Sequence, residues 1–97
     1  MRVEWSRGAR DELAGVYDYL ATFSETAAVR TIGEILRRGH QLELFPESGR
    51  IVPEFGVHGL REVFAPPYRI VYRLTNDRVE ILAVRHGRRS MDPDIDR

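Results

Sequence analysis

The sequence predicts an α+β domain of the order β-α-α-β-β-β, in which an N-terminal helical hairpin packs on one face of a mainly antiparallel sheet. Up to residue 42, apolar residues recur every three or four positions, which is typical of helices with one buried face. From residue 60 onwards, apolar and polar residues alternate, which is typical of strands. A length of 97 residues fits a single domain, predicted at 1–91 and followed by a short acidic tail at 92–97.

The N-terminal half predicts a short strand and two helices. The strand includes Val3–Trp5, where two apolar residues flank a charged one. Ser6 can then cap a helix that ends near Thr22, and Ser24 can cap the second helix. Pro46 ends that helix, because a proline disfavours the α conformation of the residue before it. The buried stripes are predicted to be Ala9, Leu13, Val16, Tyr17 and Leu20 in the first helix, and Ala28, Val29, Ile32, Ile35, Leu36 and Leu42 in the second.

The C-terminal half predicts three strands in succession. The first spans Leu60–Ala65, and Pro66-Pro67 separates it from a second that begins at Tyr68. Asn76-Asp77 then suits a two-residue hairpin turn, because both residue types tolerate a positive φ. The third strand follows this turn, so the last two strands are expected to pair as an antiparallel hairpin.

The hairpin turn sets the expected register of the last two strands. Pairing Thr75 with Arg78 places Arg69 opposite Val84. His86 follows Val84 by two residues and is therefore expected on the same face as Arg69, a face that helices need not cover. The other expected pairs are Leu74 with Val79, Tyr72 with Ile81 and Ile70 with Ala83 on the apolar face, and Arg73 with Glu80 and Val71 with Leu82 on the second face.

Composition excludes several classes of function. The absence of cysteine removes disulfide bonds, thiol catalysis and sulfur-ligated metals, and it fits a reducing cytoplasm. No apolar run is long enough to span a membrane, and the N-terminal segment lacks the apolar stretch of a signal peptide. We therefore expect a cytoplasmic protein that has no contact with a membrane and no cofactor or metal ion.

The balance of basic and acidic residues disfavours one further class of function, nucleic-acid binding. The chain carries 15 basic and 15 acidic residues, which argues against nucleic-acid binding by bulk attraction to phosphate. The distribution is uneven, since residues 57–91 contain seven arginines against three acidic residues. Every basic residue is an arginine, which we attribute to a bias toward GC-rich codons.

Short strings of residues follow one another along nearly the whole chain. They are Trp5-Ser6, Phe45-Pro46 with Gly49-Arg50, Gly59-Leu60-Arg61-Glu62, Pro67-Tyr68-Arg69-Ile70-Val71-Tyr72-Arg73 and Val84-Arg85-His86-Gly87-Arg88-Arg89. Their order and spacing, together with the order of elements, resemble the ParE/RelE family of toxins from bacterial type II toxin–antitoxin systems. The resemblance is strongest to the ParE-like, plasmid-stabilisation branch.

The resemblance implies a growth-inhibiting toxin that a cognate antitoxin protein neutralises in a hetero-oligomeric complex. Within this family, ParE-like toxins poison DNA gyrase, whereas RelE-like toxins are mRNA interferases that cut messenger RNA on the ribosome. A third hypothesis is a family member that has lost toxicity and serves only as an antitoxin-binding partner. Of the three, the resemblance favours the gyrase poison.

The alternative, a metal-independent endoribonuclease, needs a base, an acid and cations around the phosphate. Arg69 matches the strand arginine of RelE-like enzymes, and Arg61 lies on a strand similar to the one that carries their lysines. Arg88 or Arg89 is near their later arginine. His86 could provide acid–base chemistry near neutral pH. The chain has no counterpart of their lysines or of their C-terminal tyrosine, and this absence favours the gyrase target.

Partner-binding candidates follow from position. Tyr19 lies off the predicted buried stripe of the first helix, which leaves its ring available for a contact. Arg69 has no acidic residue opposite it in the expected register. Arg85, Arg88 and Arg89 form a basic cluster near the C-terminus that an antitoxin, gyrase or RNA could contact.

Overall fold

The computed structural model of the protein describes residues 1–52 and 59–87, so Arg88, Arg89 and the acidic tail lie outside the described residues. The elements follow one another as β1 (Arg2–Trp5), α1 (Arg7–Ala21), α2 (Glu25–His40), a 3₁₀ turn (Gln41–Glu43), β2 (Arg50–Ile51), β3 (Leu60–Ala65), β4 (Tyr68–Leu74) and β5 (Arg78–His86). The predicted α+β order is confirmed, with β2 as an additional strand. The sequence did not indicate β2, because two residues are too few to show alternation.

The strands form one five-stranded sheet in the order β1-β5-β4-β3-β2. β1 runs parallel to β5, and the other neighbours are antiparallel. β1 pairs only with residues 78–81 of β5, and β2 pairs only with residues 61 and 62 of β3. The sheet is therefore mainly antiparallel, as predicted, and both outer strands are short.

Both helices begin at the predicted caps. The Ser6 hydroxyl accepts a hydrogen bond from the Ala9 amide at 3.0 Å, and the Ser24 hydroxyl accepts one from the Ala27 amide at 3.1 Å. These bonds satisfy amides that have no partner within the first helical turn. The second helix ends at His40, and the chain continues as a 3₁₀ turn well before Pro46.

The main core lies between the helices and one face of the sheet, which we call the inner face. Its buried residues are Ala9, Ile35, Leu42, Val63, Ala65, Ile70, Tyr72, Val79, Ile81 and Val84. Gly39 lets α2 approach β1 closely, because a Cβ there would lie 2.6 Å from the Trp5 ring. The predicted burial of Val29 and Leu36 is wrong, since they are 58% and 43% exposed. Each follows a buried residue of α2, and one step around a helix turns a side chain by about 100°.

The β4–β5 register is correct near the turn and wrong beyond a bulge. Tyr72 pairs with Ile81 as predicted, but Val71 pairs with Ala83, so Leu82 has no residue opposite it. A bulge inserts one residue into one strand and reverses the faces of all residues that follow. The remaining pairs are Ile70 with Val84, Arg69 with Arg85 and Tyr68 with His86.

The bulge separates two residues that were predicted to share a face. Tyr68 packs against the inner-face core, and its partner His86 lies on that side. Arg69 lies on the opposite face, which we call the outer face, together with Val71 and Ala83. The prediction of a shared arginine–histidine face is therefore wrong.

Tyr72 joins the sheet to the loop before β2. Its hydroxyl donates to the Pro46 carbonyl at 2.7 Å and accepts from the Gly49 amide at 2.9 Å. A Cβ on Gly49 would lie 2.6 Å from this hydroxyl, so the close approach requires glycine. Burial raises the pKa of Tyr72 above its ordinary value.

Candidate functional site

A buried carboxylate joins two arginines on the outer face. The Glu62 side chain is fully buried, and one of its oxygens accepts from Arg69 Nε at 2.7 Å and lies 2.6 Å from Arg69 Nη2. Its other oxygen accepts from Nε of Arg50. The Arg69 side chain is only 7% exposed, whereas that of Arg50 is 62% exposed. Separating Arg69 from Glu62 would leave a buried charge unpaired, which is costly, so this pair is held together.

Sequence reasoning missed Glu62 as the partner of Arg69, although a signal for it was present. Residue 65 of β3 pairs with residue 68 of β4, which places Glu62 opposite Val71 and diagonal to Arg69. Long side chains on diagonal positions of one face are within reach of each other. The predicted register covered β4 and β5 only, so the position of β3 beside β4 was not available from it.

Arg61 points toward the inner face. It pairs with Tyr72, and its Nη1 donates to the Gly49 carbonyl at 2.9 Å and to the Glu47 carbonyl at 3.3 Å. These carbonyls belong to the loop that Tyr72 also binds. Arg61 therefore helps to fasten this loop on the side of the sheet opposite to Arg69.

His86 lies in a groove between α1 and the end of the sheet, which we call the α1–β5 groove. The groove has a volume of about 380 Å³ and is lined by Glu12, Gly15, Val16 and Tyr19 of α1 and by Tyr68, Val84, Arg85 and His86 of the sheet. The Tyr68 and His86 rings meet edge to face with centroids 6.0 Å apart. Burial, and to a smaller extent the neighbouring Tyr19, raise the pKa of Tyr68. The strand opposite thus supplies an aromatic neighbour for His86 that the residue after it, Gly87, does not.

Glu12 covers the part of β5 that β1 leaves unpaired. Its carboxylate accepts from the Val84 amide at 3.3 Å and from Arg85 Nε at 2.8 Å. Both charged side chains are largely buried, at 26% and 15% exposure. The cation of Arg85, a predicted partner-binding residue, is therefore neutralised within the wall of the groove.

The end of α1 presents an exposed aromatic pair. Tyr19 is 64% exposed, as predicted from its position off the buried stripe, and Phe23 is 75% exposed. Their rings meet edge to face at 5.4 Å. Exposed aromatic clusters are typical of protein contact surfaces. This pair, which we call the hairpin tip, continues directly into the α1–β5 groove through Tyr19.

The expected pairing of Arg73 with Glu80 is confirmed, and the two side chains form an ion pair. Arg73 Nε donates to Glu80 at 3.1 Å, and Arg78 Nη2 donates to its other oxygen at 2.8 Å. Hydrogen bonds from Arg73 and then Arg78 hold the pKa of Glu80 below its ordinary value. These residues lie near the β4–β5 turn, at the other end of the strands from His86, and form a scaffold for that turn.

Other kinds of site find no support in the part of the chain that the structure describes. Residues 1–52 and 59–87 contain no group of three or more potential side-chain ligands that could hold a metal ion. The helices in these two segments are also too short or too polar to cross a membrane. The candidates Arg88 and Arg89 lie outside them.

Comparisons with known proteins identify the family. Residues 3–91 match the family described as the ParE toxin of the type II toxin–antitoxin system, parDE. The chain therefore belongs to the ParE toxin family, and the resemblance found in the sequence is confirmed. Among curated relatives, Toxin RelE2 of Caulobacter vibrioides is 34% identical over 89 residues, covering 91% of this chain and 97% of that protein.

A solved structure shares the fold. The chromosomal ParDE toxin–antitoxin system from P. aeruginosa contains a chain that superposes with a TM-score of 0.74 at 22% identity, covering 89% of this chain and 95% of that one. The two helices and the mixed sheet described above are thus the fold of this family. The protein is a toxin of a type II toxin–antitoxin system.

Proposed function

We propose that this toxin stops growth by binding and poisoning DNA gyrase in the cytoplasm, and that the antitoxin of its own system neutralises it by binding to it. Membership in the ParE family favours this target. The observation that carries the proposal is the state of Arg69, the residue on which RNA cleavage would depend most. Arg69 is 6% exposed and bound to the buried carboxylate of Glu62.

A guanidinium in this position is poorly suited to stabilise a phosphate. Its charge is already compensated by Glu62, and its side chain is largely out of contact with solvent. Stabilising a transition state requires donors aimed at the position where negative charge develops. Arg69 is aimed at Glu62 instead, which supports a scaffold role for it.

Among the ribonuclease candidates that the structure describes, Arg61 lies apart from both Arg69 and His86. Arg61 lies on the inner face and Arg69 on the outer face, roughly 10 Å apart along the strand direction at about 3.4 Å per residue. His86 pairs with Tyr68, roughly 14 Å along the sheet from the position of Arg61 on the same estimate. Acid, base and cation would need to meet around one phosphate. The distance of Arg61 from the other two, and the opposite faces of Arg69 and His86, favour a toxin that acts by binding.

The hairpin tip and the α1–β5 groove supply a surface for such binding. Together they combine two exposed aromatic rings with a groove whose charged pair, Glu12 and Arg85, is internally neutralised. Tyrosine is enriched among the few residues that dominate the binding energy of protein interfaces. Tyr19 belongs to both parts, so we assign it, rather than Arg69, to the contact with gyrase.

Two reactions with purified, antitoxin-free toxin test the target: supercoiling of plasmid by gyrase, and primer extension on messenger RNA in a translating extract. We expect trapped gyrase cleavage or lost supercoiling, with intact message. The informative variant is Glu62→Gln with Arg69→Gln, which removes both charges and leaves two groups that can still hydrogen-bond. A folded double variant should inhibit gyrase within about threefold of the parent protein, since neither residue lies on the proposed contact surface.

One observation favours the ribonuclease as a second candidate. Tyr68 meets His86 edge to face and Tyr19 lies in the same groove, so the histidine that could provide acid–base chemistry lies among aromatic side chains. If the toxin is a ribonuclease, primer extension will show cuts at fixed codon positions while gyrase stays active. Those cuts should then disappear in a His86→Gln variant that remains folded. Such a result would refute the gyrase proposal.

A further inference from the structure

A second groove lies between the end of α2 and the end of β3, and we call it the α2–β3 groove. It has a volume of about 230 Å³. The side chains that matter for its chemistry are Glu34, Arg37, Arg38 and Gln41 of the helix and turn, and Phe64 and Pro66 of the sheet. It borders the part of β3 that β2 does not pair.

The charges around this groove are not balanced. Arg38 donates to the Gln41 side chain at 3.1 Å, which leaves its charge uncompensated. Arg37 is exposed and has no ion-pair partner within residues 1–52 and 59–87. Glu34 is the single acidic side chain among the described residues that line the groove. The groove is therefore locally basic in a chain whose formal net charge is zero.

Arg50 is a further cation close to Phe64, one of the residues that line the groove. Its guanidinium lies 5.6 Å from the centroid of the Phe64 ring, and its Nε is bound by Glu62. Glu62 binds Arg69 with its other oxygen, so this carboxylate is shared between the two arginines. A cation that is already held in place loses little conformational freedom when it binds an anion.

We propose that the α2–β3 groove binds an acidic segment of the antitoxin. This inference rests on the proposed function, since it assumes that the antitoxin acts by binding the toxin. Arginine clusters recognise carboxylates through paired hydrogen bonds, and Phe64, which is 40% exposed, adds an apolar wall. Zero net charge disfavours a nucleic acid as the occupant, because nucleic-acid affinity depends on many phosphate contacts.

A structural role also accounts for part of this arrangement. Arg37, Arg38 and His40 lie in the last turn of α2, where positive charge interacts favourably with the helix dipole. Interaction with the helix dipole does not require a partner. Reversing the charge of Arg37 should therefore weaken antitoxin binding only if the groove binds the antitoxin. The two explanations also differ in salt dependence, because a rim charge that steers a partner loses its effect as ionic strength rises.

The test compares Arg37→Glu with a matched control, Arg10→Glu. Both arginines are exposed on helices, and neither has an ion-pair partner among the described residues. The affinity of each variant for the antitoxin encoded with this toxin is measured by titration at low and high salt. We expect Arg37→Glu to weaken binding by about tenfold or more at low salt and to flatten the salt dependence, while Arg10→Glu stays within about threefold. Arg50→Gln should act in the same direction, and circular dichroism checks that each variant is folded.

The binding measurements distinguish failure of the proposed function from failure of the groove assignment. If the parent toxin does not bind the antitoxin, the neutralisation part of the proposed function fails, and this inference fails with it. If the parent binds and Arg37→Glu binds equally well, the groove assignment alone is wrong. If Arg37→Glu keeps its antitoxin affinity but loses affinity for labelled duplex DNA or single-stranded RNA, the occupant is a nucleic acid and the proposal is overturned.

Discussion

The α1–β5 groove and the α2–β3 groove lie at the same end of the sheet but differ in chemistry. The first is lined by the aromatic rings of Tyr19, Tyr68 and His86, and its charged pair is neutralised within the wall. The second is flanked by arginines whose charges are only partly compensated. One fold thus presents a neutral aromatic surface on the side of α1 and a basic surface on the side of α2.

This difference indicates two kinds of partner. An amphipathic groove that continues into exposed aromatic rings suits a protein surface that buries apolar groups. A basic groove suits an acidic segment and responds to salt. Under our proposals, the toxin contacts gyrase and antitoxin through different residues, so single substitutions should separate the two activities.

The largest expected effect comes from the Glu62 network on the outer face of the sheet. Arg69→Ala leaves the buried Glu62 carboxylate with Arg50 alone, and breaking a buried pair typically costs about 3–5 kcal/mol. The free energy of unfolding is measured by urea denaturation. The double variant Glu62→Gln with Arg69→Gln is the control and should lose less, because no buried charge is left. A loss below about 1 kcal/mol for Arg69→Ala would contradict the scaffold role.

Tyr72→Phe tests the loop that leads into β2 and so to Arg50. It leaves the Pro46 carbonyl and the Gly49 amide without their partner, which should cost about 1–3 kcal/mol. The raised pKa of Tyr72 adds a dependence on pH. Its stabilising effect is complete below the ordinary tyrosine pKa of about 10 and is lost as pH rises through the folded-state pKa. Unfolding curves above pH 10 should therefore show a steeper loss in the parent protein than in the variant.

Phe23→Ala tests the aromatic surface. We expect the toxin concentration needed to inhibit gyrase to rise about tenfold, because an aromatic anchor is lost. Leu44→Ala is the matched control, since Leu44 is 77% exposed and Phe23 is 75% exposed. Antitoxin affinity should change little in either variant if the two surfaces are separate. If Phe23→Ala and Leu44→Ala lose gyrase inhibition equally, the hairpin tip is not a specific contact for gyrase.

The smallest effect is expected at the β4–β5 turn, away from both grooves. Glu80→Gln should lower stability by less than about 1 kcal/mol, because the ion pairs of Glu80 are partly exposed. The pKa of Glu80 is lowered, so its contribution is present above the ordinary carboxyl pKa and is lost as pH falls through the folded-state value. The difference between parent and variant should shrink in acid denaturation experiments. A large effect on either binding activity would mean that this region is more than scaffold.

Local sequence patterns predicted the helix starts and the hairpin turn well, because contacts between nearby residues determine them. Ser6 and Ser24 cap their helices as expected. Asn76-Asp77 forms the turn at the predicted place, but neither residue has the positive φ that the prediction invoked. Caps and turns depend on neighbours within a few residues, which a sequence displays directly. The exposed position of Tyr19 followed in the same way, from the spacing of the helix.

The predicted faces of Arg85 and His86 were wrong because β5 contains one extra residue before them. The extra residue Leu82 in β5 moved His86 to the inner face and placed Arg85 opposite Arg69. No local signal separates this bulge from continuous alternation, since Val71 and Leu82 are apolar in either register. The predicted α2 stripe was wrong at Val29 and Leu36, because the rotation of the helix on the sheet decides which of two adjacent apolar residues is buried.

By itself, the sequence determined the class of fold, the boundaries of most elements and the toxin family, because these depend on periodicity and on strings of adjacent residues. The tertiary structure alone decided what each candidate side chain can do. Arg69 is held by Glu62, Arg85 is held by Glu12, and Tyr68 meets His86. Each of these pairs joins different elements, and the members of a pair are brought together by the packing of the sheet and helices rather than by their spacing along the chain.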